Sequence, residues 1–290
     1  MGVPYAEVIG DPIAHSKSPL IHKFWLDKLG LEGHYRATLV APKELHEYLH
    51  RRRRDPSWRG CNVTAPLKRS IVPYTSRIDS NAEKTGAVNT VIPVEGGSRR
   101  GFNTDVMAVA RLLPPAQHRR YPTHVAIYVQ IIGAGGAALA AVIGAVQAGY
   151  VDFDFFNRTI EKARGMAVWL SLNPDVYVAS LEGLGPIRNP HDGPEDQRYS
   201  HVVVNATPMG RDGYPDVPID LAHYYPDTFV LDMAYGKRPT RLVGQAEELG
   251  MRFADGLQML VEQADESFRL FFRTSPPREH DAELRDILSR

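Results

Sequence analysis

The 290-residue chain is long enough for two domains with sizeable cores, and its 43% hydrophobic and 23% charged residues are ordinary globular values. Its 34 basic residues cancel its 34 acidic ones, so net charge gives no reason to expect nucleic acid or an anionic membrane as a partner. A single cysteine, Cys61, excludes an intramolecular disulfide. With no signal-like N-terminus and no apolar run approaching about 18 residues, the chain reads as soluble and cytoplasmic.

The spacing of apolar residues predicts a strand over residues 5–10, a helix over 18–29 with Pro19 in its first turn, and a second strand over 34–40. Residues 42–50 read as helical. Arg51, Arg52, Arg53 and Arg54 follow as a solvated helix end, where cations suit the helix dipole. Strands are expected at 61–64, with Cys61 a small buried residue, and at 87–93. The Pro-rich segment 113–122 cannot continue a helix and reads as a domain junction.

A near-continuous apolar run over 124–132 then predicts a buried parallel strand, followed by a glycine-rich turn, a small-residue helix over 137–148 and a strand over 152–156. Residues 183–197 read as a long surface loop, 201–205 and 228–233 as buried strands, and 257–272 as an amphipathic helix. The alternation argues an α/β fold, with the Pro-rich segment dividing it into two domains.

Gly133, Ala134, Gly135, Gly136 and Ala137 lie between a predicted strand and a predicted helix, the context a dinucleotide fingerprint requires. A side chain at Gly133 would obstruct the tight turn, and one at Gly135 would keep a pyrophosphate from the backbone N–H groups. Roughly 20 residues on, where an acidic residue would select NAD, stand Asn157, Arg158 and Thr159, with Lys162 one helical turn later. A guanidinium there suits a 2′-phosphate, which favours NADP. Asp152 and Asp154 lie within the strand and are not assigned to the ribose.

Taken in order, several short motifs resemble the shikimate dehydrogenase family over nearly the whole chain. They are Ser16-Lys17-Ser18-Pro19, Asn62-Val63-Thr64-Ala65-Pro66-Leu67-Lys68, Gly86-Ala87-Val88-Asn89-Thr90, Asn103-Thr104-Asp105, the Gly133 turn, Asn157-Arg158-Thr159, Asn205-Ala206-Thr207, and Asp255-Gly256-Leu257 with Met259, Leu260 and Gln263. The resemblance implies a substrate-binding domain over 1–109, a Rossmann-type NADP-binding domain over 110–252 and C-terminal helices over 253–290 that return to the first. It also implies reversible reduction of 3-dehydroshikimate to shikimate by NADPH, with Lys68 as acid/base and Asp105 as its partner. A free lysine, with a pKa of about 10.4, needs burial to act as a base, and a neighbouring carboxylate opposes that effect.

The resemblance further implies that Ser16 and Ser18, helped by Tyr235, receive the substrate carboxylate, and that Thr64, Asn89 and Gln263 bind the ring hydroxyls. Asn62 shares the Thr64 motif. Asn205, Thr207 and Gly256 join the cofactor set. The chain departs from the family pattern at Phe102, Val106 and Leu139, and in the stretch after Tyr235. Two alternatives share the frame: a quinate/shikimate or aminoshikimate-type dehydrogenase, and a catalytically silent NADP-binding regulator. The second predicts a broken Lys68 and Asp105 pair. The histidines His15 and His22 have no metal-ligand spacing, so no metal is expected, and Phe24, Trp25, Phe268, Phe271 and Phe272 read as core. The oligomeric state is expected to be a monomer or homodimer.

Overall fold

The computed structural model describes residues 2–116, 127–170, 176–185, 200–236 and 238–290. It divides into two units, Met1–Met107 with Leu260–Arg290, and Ala108–Met259.

The first unit is built on β1 (Tyr5–Gly10), whose last five residues are all buried. A strand enclosed on both faces needs neighbours on either side to satisfy its main-chain hydrogen bonds, and here both are parallel. These are β2 (His34–Leu39) and β3 (Trp58–Val63), reached through α1 (Ser18–Leu29) and α2 (Leu45–Arg52). Pro19 opens α1, and Gly30 closes it at φ 60° in the left-handed region that glycine adopts without steric cost.

The short α3 (Leu67–Ser70), β4 (Arg77–Ile78), α4 (Ser80–Thr85), β5 (Thr90–Pro93), β6 (Arg99–Phe102) and α5 (Thr104–Leu112) follow. The sheet order is β2-β1-β3-β5-β6-β4, and β5 runs antiparallel to both of its neighbours. Ile9, Leu45, Leu49, Trp58, Leu67 and Val91 fill one core of this unit. Each large apolar side chain buried there contributes about 1.5–3 kcal/mol relative to exposure.

The second unit holds β7 (Ile127–Ile132), α6 (Gly136–Gln147), β8 (Asp152–Phe156), α7 (Ile160–Trp169), β9 (Tyr177–Ala179), β10 (Ser200–Asn205), β11 (Phe229–Asp232), α8 (Arg241–Glu248) and β12 (Arg252–Ala254). Every strand pair in it is parallel, in the order β12-β11-β10-β7-β8-β9. The strand order therefore reverses between β7 and β10, the kind of switch point where open α/β sheets bind ligands at the carboxyl ends of strands. α6 buries Ala138, Ala141, Val142 and Ala145 against Val129, Ile131 and Phe155. The unit boundary then falls within α9 (Gly256–Phe272), and α10 (Asp281–Leu288) closes the chain in the first unit.

These elements match the sequence reading closely for β1, α1, β2, β8, β10, β11 and α9. The strand at 124–132 is described from Ile127 onward; residues 117–122 of the junction and 186–197 of the expected loop lie outside the described residues. Cys61 is fully buried on β3. The aromatic residues Trp25, Phe268 and Phe271 are core, as expected.

One expectation is overturned. Arg52 does not end a helix in solvent, because it turns inward to Glu7, which is completely buried on β1. Glu7 Oε2 accepts from Arg52 Nε at 2.6 Å and Tyr48 Oη at 2.8 Å, while Oε1 accepts from Arg52 Nη2, Arg36 Nε and Thr38 Oγ1. Burial alone would raise the Glu7 carboxyl, but these donors outweigh it and hold the group below its ordinary value. No helix among the described residues is long and apolar enough to cross a membrane.

Candidate active site

β3 ends at Val63, and the next residue, Thr64, still donates its N–H to Ile9 O at 2.9 Å. Thr64 O accepts the Leu67 N–H, which turns the chain into α3 and sets Lys68 in that short helix. Gly10 must lack a side chain here, since a Cβ would lie 2.4 Å from Thr64 Cγ2. Opposite, Asn103 Oδ1 accepts the Asp105 N–H at 3.2 Å, so Asp105 lies in the first turn of α5, where a carboxylate suits the helix dipole.

The outcome is a charged pair: Lys68 Nζ donates to Asp105 Oδ2 at 2.6 Å. The lysine side chain is 35% exposed and the aspartate 16%, so the pair is accessible to a ligand without being free in water. Asn89, on the loop before β5, donates Nδ2 to Asp105 Oδ1 at 2.9 Å and fixes the other carboxylate oxygen. Three sequence-predicted residues are thereby brought together.

Ser16 and Ser18 also meet, with Ser18 N donating to Ser16 Oγ at 3.3 Å at the start of α1. Gln263 is on α9, its Nε2 donating to Leu260 O. Asn62 is 5% exposed and spends its side chain within the protein, accepting from Tyr35 Oη and donating to Thr90 Oγ1 and Ser267 Oγ. Of its neighbours, Thr90 ends the Gly86 to Thr90 motif without an assigned role, and Ser267 carries no sequence signal of a site. His22 is fully buried with both ring nitrogens unpartnered, stacked 3.9 Å from Tyr35, and burial pushes its pKa down to about 3. It is a neutral core residue.

In the second unit, Gly133 takes φ 119°, and a Cβ there would lie 3.0 Å from Thr207 Cγ2 and 3.1 Å from Ala206 O. Gly135 precedes α6 in extended conformation, and the space beside both Gly135 and Gly136 is open. The first N–H groups of a 12-residue helix, in Gly136 and Ala137 above all, thus face an unobstructed approach beside Ala134. Past the end of β8, Arg158 is exposed and Asn157 Nδ2 bonds Thr159 O at 2.7 Å. Lys162 is exposed in the first turn of α7, and neither it nor Arg158 has an ion-pair partner among the described residues. Open backbone donors and uncommitted cations are the groups a dinucleotide phosphate requires, so these residues fit NADP.

Asn205 is fully buried: Oδ1 accepts from Thr207 N and Oγ1, while Nδ2 donates to Asp232 Oδ1 and Met209 O. Its side chain shapes the turn that carries Thr207. Burial pushes the Asp232 carboxyl up to about 6 against the hydrogen bonds from Thr240, Ala234 and Asn205. Gly256 is where α9 begins, and a Cβ there would lie 2.4 Å from Ala234 O and 2.9 Å from Tyr235 Cβ. Tyr235 is half-buried in this second unit, and burial raises its phenol against the opposing charge of Arg211. Asp154 is 3% exposed within β8, so its carboxylate is part of the sheet interior. Among the described residues no group of three or more His, Cys, Asp or Glu is arranged to hold a metal ion.

Residues 8–91 match the family model described as the shikimate dehydrogenase substrate binding domain. Over 285 residues, 98% of this chain and 97% of the relative, the sequence is 39% identical to a shikimate dehydrogenase (NADP(+)) of Sphingopyxis alaskensis. The chain belongs to the shikimate dehydrogenase family. Among solved members of that family, shikimate 5-dehydrogenase of Thermus thermophilus, in complex with NADP(H) and shikimate, is 30% identical, with a TM-score of 0.77 over 98% of this chain and 99% of that one. A ligand-free 5-ketofructose reductase of a Gluconobacter species shares the fold at a TM-score of 0.80 and 24% identity, covering 99% of each chain. The shikimate dehydrogenase architecture is thus also that of a reductase named for a different substrate, and the fold by itself does not set substrate choice.

Proposed function

We propose that this protein is an NADP-dependent shikimate dehydrogenase that interconverts shikimate and 3-dehydroshikimate. One contact carries the assignment of roles: the 2.6 Å hydrogen bond between Lys68 and Asp105 inside motifs shared with the family. Oxidation of a secondary alcohol removes a hydride from carbon and a proton from oxygen. NADP, when bound, supplies the hydride acceptor. Lys68, in its neutral form, takes the hydroxyl proton at Nζ, and in the reverse direction its ammonium returns it to the carbonyl oxygen. Asp105 holds Lys68 through Oδ2, while Asn89 keeps the carboxylate from rotating.

Ser16 and Ser18 bind the substrate carboxylate with help from Tyr235, and Thr64, Asn89 and Gln263 address the ring hydroxyls. Gly133 to Ala137, Asn157, Arg158, Thr159, Lys162 and Thr207 hold the dinucleotide, with Asn205 and Gly256 shaping the turns beside it. The intact Lys68 and Asp105 pair favours an enzyme over a silent NADP-binding regulator. The balanced charge and single buried cysteine fit a cytoplasmic monomer or homodimer acting on a small molecule.

The deciding assay follows nicotinamide absorbance with the purified chain, offering shikimate or quinate with NADP⁺ or NAD⁺. Turnover is expected to be fastest with shikimate and NADP⁺. A folded protein that turns over none of the four pairs sinks the proposal, and a preference for quinate reassigns the substrate.

A further inference from the structure

Behind Asp105 lies a row of buried polar side chains that touch almost no solvent. Tyr35 Oη bonds Asn62 Oδ1 at 2.6 Å, Asn62 Nδ2 bonds Thr90 Oγ1 at 2.9 Å, Thr90 Oγ1 bonds Asn89 Oδ1 at 3.1 Å, and Asn89 Nδ2 bonds Asp105 Oδ1 at 2.9 Å. Tyr35, Asn62, Thr90 and Asn89 are each at most 8% exposed.

The direction of the row is set at its carboxylate end by one obligatory donor. The main-chain N–H of Thr104 points at Asn89 Oδ1 at 2.9 Å, so that atom is the amide oxygen and the amide nitrogen faces Asp105. Thr90 Oγ1 lies 3.1 Å from that oxygen, to which it donates, and 3.0 Å from Ser267 Oγ, while its own oxygen accepts from Asn62. Asn62 in turn presents its oxygen to Tyr35, whose hydroxyl must donate. Burial raises the Tyr35 phenol well above its ordinary value, so it keeps that proton. All four donors therefore point towards the carboxylate, and bonds aligned in one sense polarise one another in a low-dielectric interior.

A second arm leaves Asn62 through its other amide proton, to Ser267 Oγ at 2.7 Å, and Ser267 donates on to Gln263 O at 3.1 Å. Asn62 thus ties the strand motif to the helix that carries Gln263, with both of its amide protons committed within the protein.

We propose that Asn62 and Thr90 are positioning residues for proton transfer, acting through Asn89 to hold the Asp105 carboxylate in the orientation that grips Lys68. The inference rests on the role given above to Lys68 and Asp105. Because the row is continuous, breaking it at any one link disengages everything upstream of the break.

The test uses Thr90→Val, Thr90→Ser, Tyr35→Phe and the Thr90→Val/Tyr35→Phe pair in the full chain, assayed with shikimate and NADP⁺, with Asp105→Asn in parallel. Thr90→Val is expected to lower kcat about ten-fold with the KM for shikimate within about two-fold, while Thr90→Ser, which keeps the hydroxyl, stays near the parent enzyme. Tyr35→Phe, remote from substrate, is expected to lower kcat about three-fold, and the double variant is expected to be no slower than Thr90→Val alone.

A parent-like kcat in Thr90→Val overturns the proposal, and so does a double variant whose loss is the product of the single losses, as independent packing defects would give. Should Thr90→Val fail to fold, Tyr35→Phe decides alone, and an unchanged kcat there is fatal. Collapse of Asp105→Asn beside a normal Thr90→Val removes only the positioning claim. Full activity in Asp105→Asn removes the assigned pair itself.

Discussion

Lys68 and Val88 are joined through their main chains, Val88 N donating to Lys68 O at 2.8 Å. Val88 precedes Asn89, and Asn89 grips the same aspartate that Lys68 does. Backbone and side chain thereby close a loop around one carboxylate, and the position of Lys68 does not depend on its own ion pair.

Removing the amine should therefore damage chemistry far more than structure. Lys68→Ala is expected to lower kcat by about a hundred- to ten-thousand-fold, the range typical of a lost general acid/base. Shikimate binding, measured directly by calorimetry, should stay within a few-fold of the parent. An unchanged rate would take Lys68 out of the mechanism.

Arg158 has no ion-pair partner among the described residues, so its removal costs the fold little and should be felt chiefly by the dinucleotide. Arg158→Ala is expected to lower kcat/KM for NADP⁺ about ten- to a hundred-fold while leaving that for NAD⁺ nearly unchanged. Parallel steady-state assays with both cofactors check this, and an equal loss for the two would mean that Arg158 does not read the 2′-phosphate.

Gly256 is confined by the main chain of Ala234, which cannot move aside as a side-chain tip would. Gly256→Ala should destabilise the protein by about 1–3 kcal/mol, the usual cost of overpacking. A lowered urea midpoint with unchanged slope is the expected signature.

Asp154 has one carboxylate oxygen without a partner, and burial pushes its pKa up to about 7, helped by the charge of Asp152 and opposed by the Tyr177 main chain. The folded protein then holds a proton that the unfolded chain releases near pH 4, so this contribution is complete below that value and is lost as pH rises towards 7. Asp154→Asn should match the parent in stability near pH 4 and exceed it at pH 8 by on the order of 4 kcal/mol. Thermal unfolding at both pH values checks the sign; a parent that gains on Asp154→Asn as pH rises would refute it.

The strands and helices with strong periodicity were legible in the sequence because their buried residues recur at the intervals the elements impose. β4 and β6 were missed: Arg77–Ile78 is two residues long, and Arg99–Phe102 opens on two arginines, with no apolar alternation to mark either. The antiparallel direction of β5 was equally hidden, since a buried strand looks alike in both senses. The Lys68 and Asp105 contact was legible only from motif order; no spacing argument brings together residues 37 apart.

The departures at Phe102 and Val106 turned out to leave that contact whole. Val106 is fully buried on α5, and Phe102 contributes its carbonyl to the Asn89 N–H. Ser267 gives no signal, because a single hydroxyl in a helix resembles many that do nothing, and Thr90 stands in the motif beside Asn89 with nothing to mark its role.

Arg52 was misread for a related reason, since its partner stands 45 residues earlier. The bond to Glu7 has a consequence for how this unit assembles. A carboxylate stripped of water on an interior strand is strongly unfavourable until its cations arrive, and one of them comes from the end of α2. Local opening of α2 would take away the Arg52 and Tyr48 donors and leave the buried carboxylate to Arg36 and Thr38 alone, so the burial of β1 and the folding of α2 favour one another. Hydrogen exchange should accordingly find the amides of β1 and α2 opening together, as a single cooperative block whose members are far apart in the chain.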